Sequence, residues 1–285
     1  MKEFLLHCGK YHLRLGKRTV VMGILNVTPD SFFDGGKHFN LDNALSYAYS
    51  LAAAGTDIID VGGESTRPGS LAISSDEEKK RVIPVISHLA QKLNIPISID
   101  TSKSTVARSA IEAGASLVND ITALRGDPSL GEVVAEYNLP LILMHMQGTP
   151  KNMQENPHYK SLIPEIISFL EEAIKRAKAS GIREENLLID PGIGFGKKTS
   201  HNLEIIKNLE KLAILEKPIV IGLSRKSFIG NVLNLPVEER LEASLAATAC
   251  AVLNGAHIVR VHDVGETVRA VGIVDAIKAG ENYTG

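Results

Sequence analysis

The chain has 285 residues, 44% of them hydrophobic and 22% charged, an ordinary globular composition with enough apolar surface to bury a large core. Lys and Arg number 31 against 33 Asp and Glu, so the net charge of -2 supplies no basic field for nucleic acid or an anionic membrane, and any anionic ligand must be held locally. Cys8 and Cys250 are far apart, match no metal-ligand spacing, and read as ordinary thiols, which fits a reducing compartment without excluding an oxidising one.

The apolar stretch within Met1 to His12 is too short and too interrupted for a signal peptide, and no apolar run reaches ~18 residues, so a cytoplasmic protein with no membrane segment is expected. Residues 3 to 15 alternate loosely around Gly9-Lys10, which predicts a β-hairpin. Eight short runs rich in Val, Ile or Leu then predict strands near 19-26, 57-62, 96-100, 116-120, 140-145, 187-190, 218-223 and 256-261. Runs this apolar belong to strands covered on both faces. Between them lie stretches of helical period, such as Leu41, Ala44, Leu45, Ala48, Leu51 and Ala52, and Leu162, Ile166, Phe169, Leu170, Ala173 and Ile174. Ser75 stands three residues before Glu78, and Asp263 three before Glu266, the spacing of a capping box, and all four read as caps.

Strand and helix alternate throughout, and a closed barrel of such units needs about 250 residues. The expected fold is therefore an α/β protein, a (β/α)8 TIM barrel with an N-terminal β-hairpin covering its bottom. Residues 1-285 would form a single domain, with the hairpin in 1-18 and the barrel in 19-280.

Each predicted strand ends in polar residues: Asn26, Glu64, Asp100, Asn119 with Asp120, His145, Asp190, Ser224 with Arg225 and Lys226, and Arg260 with His262. In a barrel those carboxyl ends converge on one face and surround one pocket. The loops after the first, second and fifth strands each run about a dozen residues, longer than the usual connection. The first carries Pro29, Phe32, Phe33, Gly35 and Gly36, and the second Gly63, Arg67, Pro68 and Gly69, a mixture suited to a mobile lid.

Two of these loops, Asn26-Val27-Thr28-Pro29-Asp30-Ser31-Phe32 and Gly62-Gly63-Glu64-Ser65-Thr66-Arg67-Pro68-Gly69, resemble the loop signatures of the dihydropteroate synthases. Ile99-Asp100-Thr101, Val118-Asn119-Asp120, His145-Met146-Gln147-Gly148, Asp190-Pro191-Gly192-Ile193-Gly194-Phe195-Gly196-Lys197, Ser224-Arg225-Lys226-Ser227 and Arg260-Val261-His262-Asp263 agree with that family in order. Gly192 to Gly196 imitates a dinucleotide fingerprint but lacks its third glycine and its early βαβ setting.

The resemblance implies condensation of (7,8-dihydropterin-6-yl)methyl diphosphate with 4-aminobenzoate to give 7,8-dihydropteroate and pyrophosphate, by a dissociative, SN1-like route. It also implies a role for each motif residue. Asp190, Asn119, Asp100 and Lys226 would read the pterin, with Arg260 laid on its face. Asn26, Thr66, Arg260 and His262 would hold the diphosphate, and Asn26 would bind Mg2+. Thr66, Arg67, Pro68, Phe195, Lys226 and Ser227, with Phe33 packing over them, would receive 4-aminobenzoate. Asp100, Lys226, Arg67 and Asn26 are the expected catalytic set, and a homodimer through the carboxyl-terminal barrel helices is the expected assembly. Two other activities fit a pterin-binding barrel: methyl transfer from a reduced folate to a corrinoid, and non-catalytic pterin binding. The former holds no diphosphate and so leaves Arg67, Arg260 and His262 without a task.

Overall fold

The computed structural model describes residues 2–28, 33–34, 38–66 and 69–282, with the backbone alone at 33–34, 38–39 and 282. Strands β1 (Phe4–Cys8) and β2 (Tyr11–Leu15) pair antiparallel about the Gly9-Lys10 turn. Strand β3 (Val20–Asn26) comes next, then a two-residue antiparallel pair, β4 (Phe33–Asp34) and β5 (His38–Phe39), within the first long loop. The remaining strands are β6 (Ile58–Gly62), β7 (Ile97–Asp100), β8 (Leu117–Asp120), β9 (Leu141–Met144), β10 (Leu187–Asp190), β11 (Val220–Gly222) and β12 (Ile258–Val261).

Eight of these form one parallel sheet in the order β10-β9-β8-β7-β6-β3-β12-β11. A parallel bridge between Ile189 and Ile219 joins its two ends, so the sheet closes into the expected TIM barrel with an N-terminal hairpin. The barrel strands lie within two residues of their predicted limits.

Helices α1 (Leu41–Ala53), α2 (Ser75–Lys92), α3 (Ser104–Glu112), α4 (Ser129–Glu136), α5 (Leu162–Ala179), α6 (Thr199–Lys207), α7 (Ser227–Leu233), α8 (Leu241–Leu253) and α9 (Val264–Ala279) ring the barrel. The stripe predicted for α1 is buried at Ala44, Leu45, Ala48 and Leu51, and that for α5 at Leu162, Ile166, Leu170 and Ala173. None of the described helices is long and apolar enough to cross a membrane.

Alternation along each strand sorts the side chains between two cores. Val21, Leu25, Ile59, Val61, Ile99, Val118, Leu143, Ile189, Ile221 and Val259 point outward and pack under the helices. Val20, Met22, Ile58, Leu117, Ile142, Leu188, Val220 and Ile258 point inward at the amino ends of the strands, where Leu6, Cys8 and Leu15 of the hairpin pack against them. The hairpin is therefore the floor of the barrel, and burying its leucines adds roughly 1.5–3 kcal/mol each. With the floor closed by hydrocarbon, the polar inward residues farther along the same strands face a pocket open only at the carboxyl ends.

Two expected caps are corrected. Ser74, not Ser75, caps α2 by accepting from the Glu77 N–H, while Glu78 is buried and receives the Lys103 ammonium at 2.6 Å. Asp263 does occupy the cap position of α9, but its carboxylate makes no cap bond and instead pairs with Arg225 through two 2.9 Å hydrogen bonds.

Candidate active site

Parallel register sets the level of each polar group. Asn26 pairs with Gly62, Gly62 with Asp100, and Asp100 with Asn119, so one row of partners crosses four adjacent strands at the carboxyl rim. An ideal Cβ at Gly62 would lie 3.7 Å from Asn26 Oδ1 and 3.7 Å from Asp100 Oδ2, so the glycine keeps open the space between those two oxygens.

One turn of the pleat below Gly62 sits Asp60, fully buried on the same inward face. Arg260 donates from Nε to Asp60 Oδ2 at 2.6 Å and from Nη2 to Asp100 Oδ2 at 2.7 Å. Asn119 Nδ2 reaches Asp60 Oδ2 at 3.2 Å. Two of the five N–H groups of Arg260 are thereby engaged, and the others make no hydrogen bond among the described residues. Asp60 Oδ1 is buried with no hydrogen-bond partner among the described residues, an unsatisfied acceptor in a pocket of acceptors and amides.

Asp190 ends β10 on the opposite wall. Its Oδ1 accepts the Gly192 N–H at 2.6 Å, which turns the chain after the strand, and its Oδ2 makes no hydrogen bond among the described residues. Burial raises its proton affinity, partly offset by that N–H and by the Lys226 and Arg260 charges. Burial likewise pushes Asp100 up to about 7, against the pull of Arg260 and with the push of Asp60, Glu78 and Asp120. Lys226 is lowered to about 8 by burial, with Asp190 opposing the shift. Its Nζ donates to the Ile193 carbonyl and stands 4.7 Å over the Phe195 ring, at the cation–π distance.

His262 meets Ser224, whose Oγ accepts the His262 N–H at 3.3 Å and lies 3.2 Å from Nδ1. The serine proton is then best given to Nδ1, which leaves the ring's own proton on Nε2 as an outward donor. Burial and the Arg260 charge hold His262 down to about 4, so the ring is neutral at working pH.

Thr66 and Phe195 are half-buried at the mouth, and Ser227 is exposed at the start of α7, a helix of only seven residues. The Phe33 side chain, Arg67, Pro68, and the Pro29 to Phe32 and Gly35 to Gly36 parts of the first loop lie outside the described residues. Several strand-end polar residues serve the scaffold. Asp120 accepts from the Thr122 and Leu124 N–H groups of its own turn. Arg225 binds Asp263 and the Val237 and Glu238 carbonyls. Glu64 pairs with Lys103 at 2.6 Å and accepts the Ile73 N–H, which ties down the far end of the second loop.

Among the described residues no group of three or more His, Cys, Asp or Glu could cage a metal. A hard cation sharing its coordination with ligand phosphates and waters needs few protein oxygens, and the Asn26 amide oxygen at the rim fits that need.

The comparisons with known proteins agree with this geometry. Residues 22–262 match the family described as pterin binding enzyme, a span that contains every barrel strand except the start of β3. Over 263 residues the chain is 50% identical to dihydropteroate synthase of Escherichia coli strain K12, covering 92% of this chain and 93% of that one. The chain belongs to the dihydropteroate synthase family. Among solved structures, a Yersinia pestis dihydropteroate synthase in a sulfonamide drug complex superposes with a TM-score of 0.91 at 47% identity, covering 97% of this chain and 99% of that one. A Xanthomonas albilineans dihydropteroate synthase with 4-aminobenzoic acid does so with a TM-score of 0.91 at 43% identity, covering 98% and 99%.

The residue that the sequence did not single out is Asp60, on which both Arg260 and Asn119 of this dihydropteroate synthase site converge. Replacing Asp60→Ala takes from Arg260 one of its two carboxylate partners and from Asn119 its Nδ2 acceptor, and is expected to lower stability by about 3 kcal/mol. Urea unfolding measures this, and an unchanged midpoint would mean that the carboxylate contributes nothing to holding Arg260.

Proposed function

We propose that the protein condenses (7,8-dihydropterin-6-yl)methyl diphosphate with 4-aminobenzoate, releasing 7,8-dihydropteroate and pyrophosphate. The observation that carries this is the convergence of Asp60, Asp100, Asn119, Asp190, Lys226 and Arg260 within one rim pocket of a dihydropteroate synthase-family barrel. A pterin edge with an amino group and a ring N–H matches the free carboxylate oxygen of Asp190. Asn119 offers both donor and acceptor to the same ring, Asp100 accepts from another ring nitrogen, and Lys226 donates to the carbonyl side. The unsatisfied Asp60 oxygen lies in the same cluster, and the planar guanidinium of Arg260 suits the ring face.

The diphosphate then falls to Asn26, Thr66, the remaining Arg260 N–H groups and the neutral His262. Asn26 would hold Mg2+ through its amide oxygen, and the charge neutralisation that the ion supplies when bound acts on the leaving diphosphate. The carbon–oxygen bond breaks first, its electron pair leaving with pyrophosphate, because the dihydropterin ring delocalises the positive charge left on the exocyclic carbon. Asp100, with Asp60 beside it on Arg260, would stabilise that cation. The weakly basic arylamine attacks next, and its surplus proton passes to pyrophosphate or water. The family motif assigns Thr66, Arg67, Pro68, Phe195, Lys226, Ser227 and Phe33 to its pocket, with Ser227 taking the carboxylate end and closure of the two long loops excluding water from the cation.

The apolar residues left on the outer faces of α8 and α9 fit the expected homodimer. Leu253, Ile273 and Ile277 are all more than half exposed on these two helices, where water is an unfavourable neighbour. Free Cys8 and Cys250 agree with a reducing cytoplasm. A monomer in analytical ultracentrifugation would exclude the dimer.

The deciding experiment is turnover with both substrates and Mg2+, read as pyrophosphate release. No release above background would reject the proposed activity. In the active enzyme, Asp190→Asn exchanges an acceptor for a misplaced donor and should weaken pterin binding by about 1–3 kcal/mol, roughly 10- to 100-fold. Calorimetry giving wild-type affinity would remove Asp190 from the pterin site. Lys226 is charged below about 8 and neutral above it, so the KM for the diphosphate substrate should rise as pH passes upward through that value. Lys226→Met should give uniformly weak binding without this alkaline limb, and a limb that persists would assign the titration to another group.

A further inference from the structure

The Asp190 to Lys197 segment matches the family motif, yet the functional roles above use only its first residue and Phe195. Lys197 is 3% exposed, which is unusual for a lysine unless its ammonium is fully matched. It is matched. Its Nζ lies 2.8 Å from His145 Nδ1, 3.0 Å from the Phe195 carbonyl oxygen and 3.5 Å from the His145 carbonyl oxygen, three acceptors that offset a burial which pulls its proton affinity well below the ordinary lysine value. His145 can accept because burial and the Lys197 charge hold its ring down to about 2, neutral at any working pH.

The contact belongs to a larger pattern. Four consecutive carbonyls of the turn after β10 each receive a side-chain donor from a different place: Ile193 from Lys226, Gly194 from Gln154 at 2.5 Å, Phe195 from Lys197 and Gly196 from Tyr159 at 2.8 Å. The turn is also pressed onto the segment after β9. A Cβ at Gly192 would overlap the His145 carbonyl oxygen, and one at Gly196 would stand 2.5 Å from that of Gln147, with φ of +68 and +64 at the two glycines. Backbone held this way has little freedom, and the half-buried Phe195 ring projects from its middle, over which Lys226 sits.

We infer that Lys197 is a positioning residue for the second substrate: its buried Nζ joins the Phe195 carbonyl to His145, just after β9, and so fixes the aromatic wall against which 4-aminobenzoate stacks. The inference rests on the condensation activity proposed above and on the placement of Phe195 in the arylamine pocket. Lys197 touches neither substrate; it acts through the turn. Of the pterin-reading groups, Asp100, Asn119 and Arg260 stand on other strands with their own partners, while Asp190 and Lys226 bond the turn at Gly192 and Ile193, ahead of the Phe195 carbonyl that Lys197 holds.

Steady-state kinetics on full-length Lys197→Met, with both substrates varied and pterin diphosphate affinity measured separately by calorimetry, tests this. The expected result is a KM for 4-aminobenzoate raised about tenfold or more, with kcat and pterin diphosphate affinity each within about threefold of wild type. An unchanged KM for 4-aminobenzoate, or equal losses for both substrates, would overturn the inference. If Lys197→Met does not fold, Tyr159→Phe removes only the neighbouring Gly196 anchor and should raise the same KM about threefold, again without moving pterin affinity. No rise there would overturn it equally. Wild-type enzyme that turns over while either variant behaves normally rejects only the role of Lys197, whereas wild-type enzyme that does not turn over rejects the activity itself.

Discussion

Arg260 lies with its guanidinium between Asp60 and Asp100, and that pairing allows a closed barrel to keep two carboxylates on its inner wall. Without the cation, burial and mutual repulsion would neutralise at least one of them, and Asp100 is already drawn toward protonation by its surroundings. With it, the polar end of the barrel presents acceptors on one side, at Asp60 and Asp100, and a second acceptor on the other, at Asp190. The cations Arg260 and Lys226 complete the ring. A flat heterocycle rich in N–H groups and carrying an anionic tail is complementary to such an arrangement.

Sequence distance has no bearing on how these groups meet, because the register of parallel strands brings them level. The same two-residue period that lifts Asn119 and Asp100 to the rim drops Leu117 and Met22 onto the hairpin. Site and floor are therefore successive layers of one set of inward positions, and the change from hydrocarbon to charge within two or three residues of each strand makes the pocket end where it does.

The fold was legible because each barrel strand is a short apolar run bounded by turn residues, and both periodicities survive in the helices. Boundaries differ by a residue or two where the ladder is shortest, as at β11. The rim residues were legible as interruptions at strand ends. Asp60 was not, because it lies inside an apolar run between Ile59 and Val61; only its parity with Ile58 and Gly62 marks it as inward-facing. Glu78 and Asp263 were misread because a carboxylate near a helix start satisfies a local pattern, while the partners that claim it, Lys103 and Arg225, are remote in sequence. Lys197 stood within a recognised motif, but neither spacing nor charge tells a buried, triply bonded lysine from a solvated one. Phe33, Arg67 and Pro68 carry expectations that the motif alone supports.

The hairpin that seals the bottom of the barrel also decides how the protein can be handled. Lys2 lies at that end, its carbonyl against the His257 ring and its ammonium by Glu216, so the amino terminus leaves the molecule on the side away from the reacting groups. Tethering the enzyme to a resin or sensor chip through that terminus would leave the mouth of the cylinder turned toward bulk solution, with both substrates free to enter.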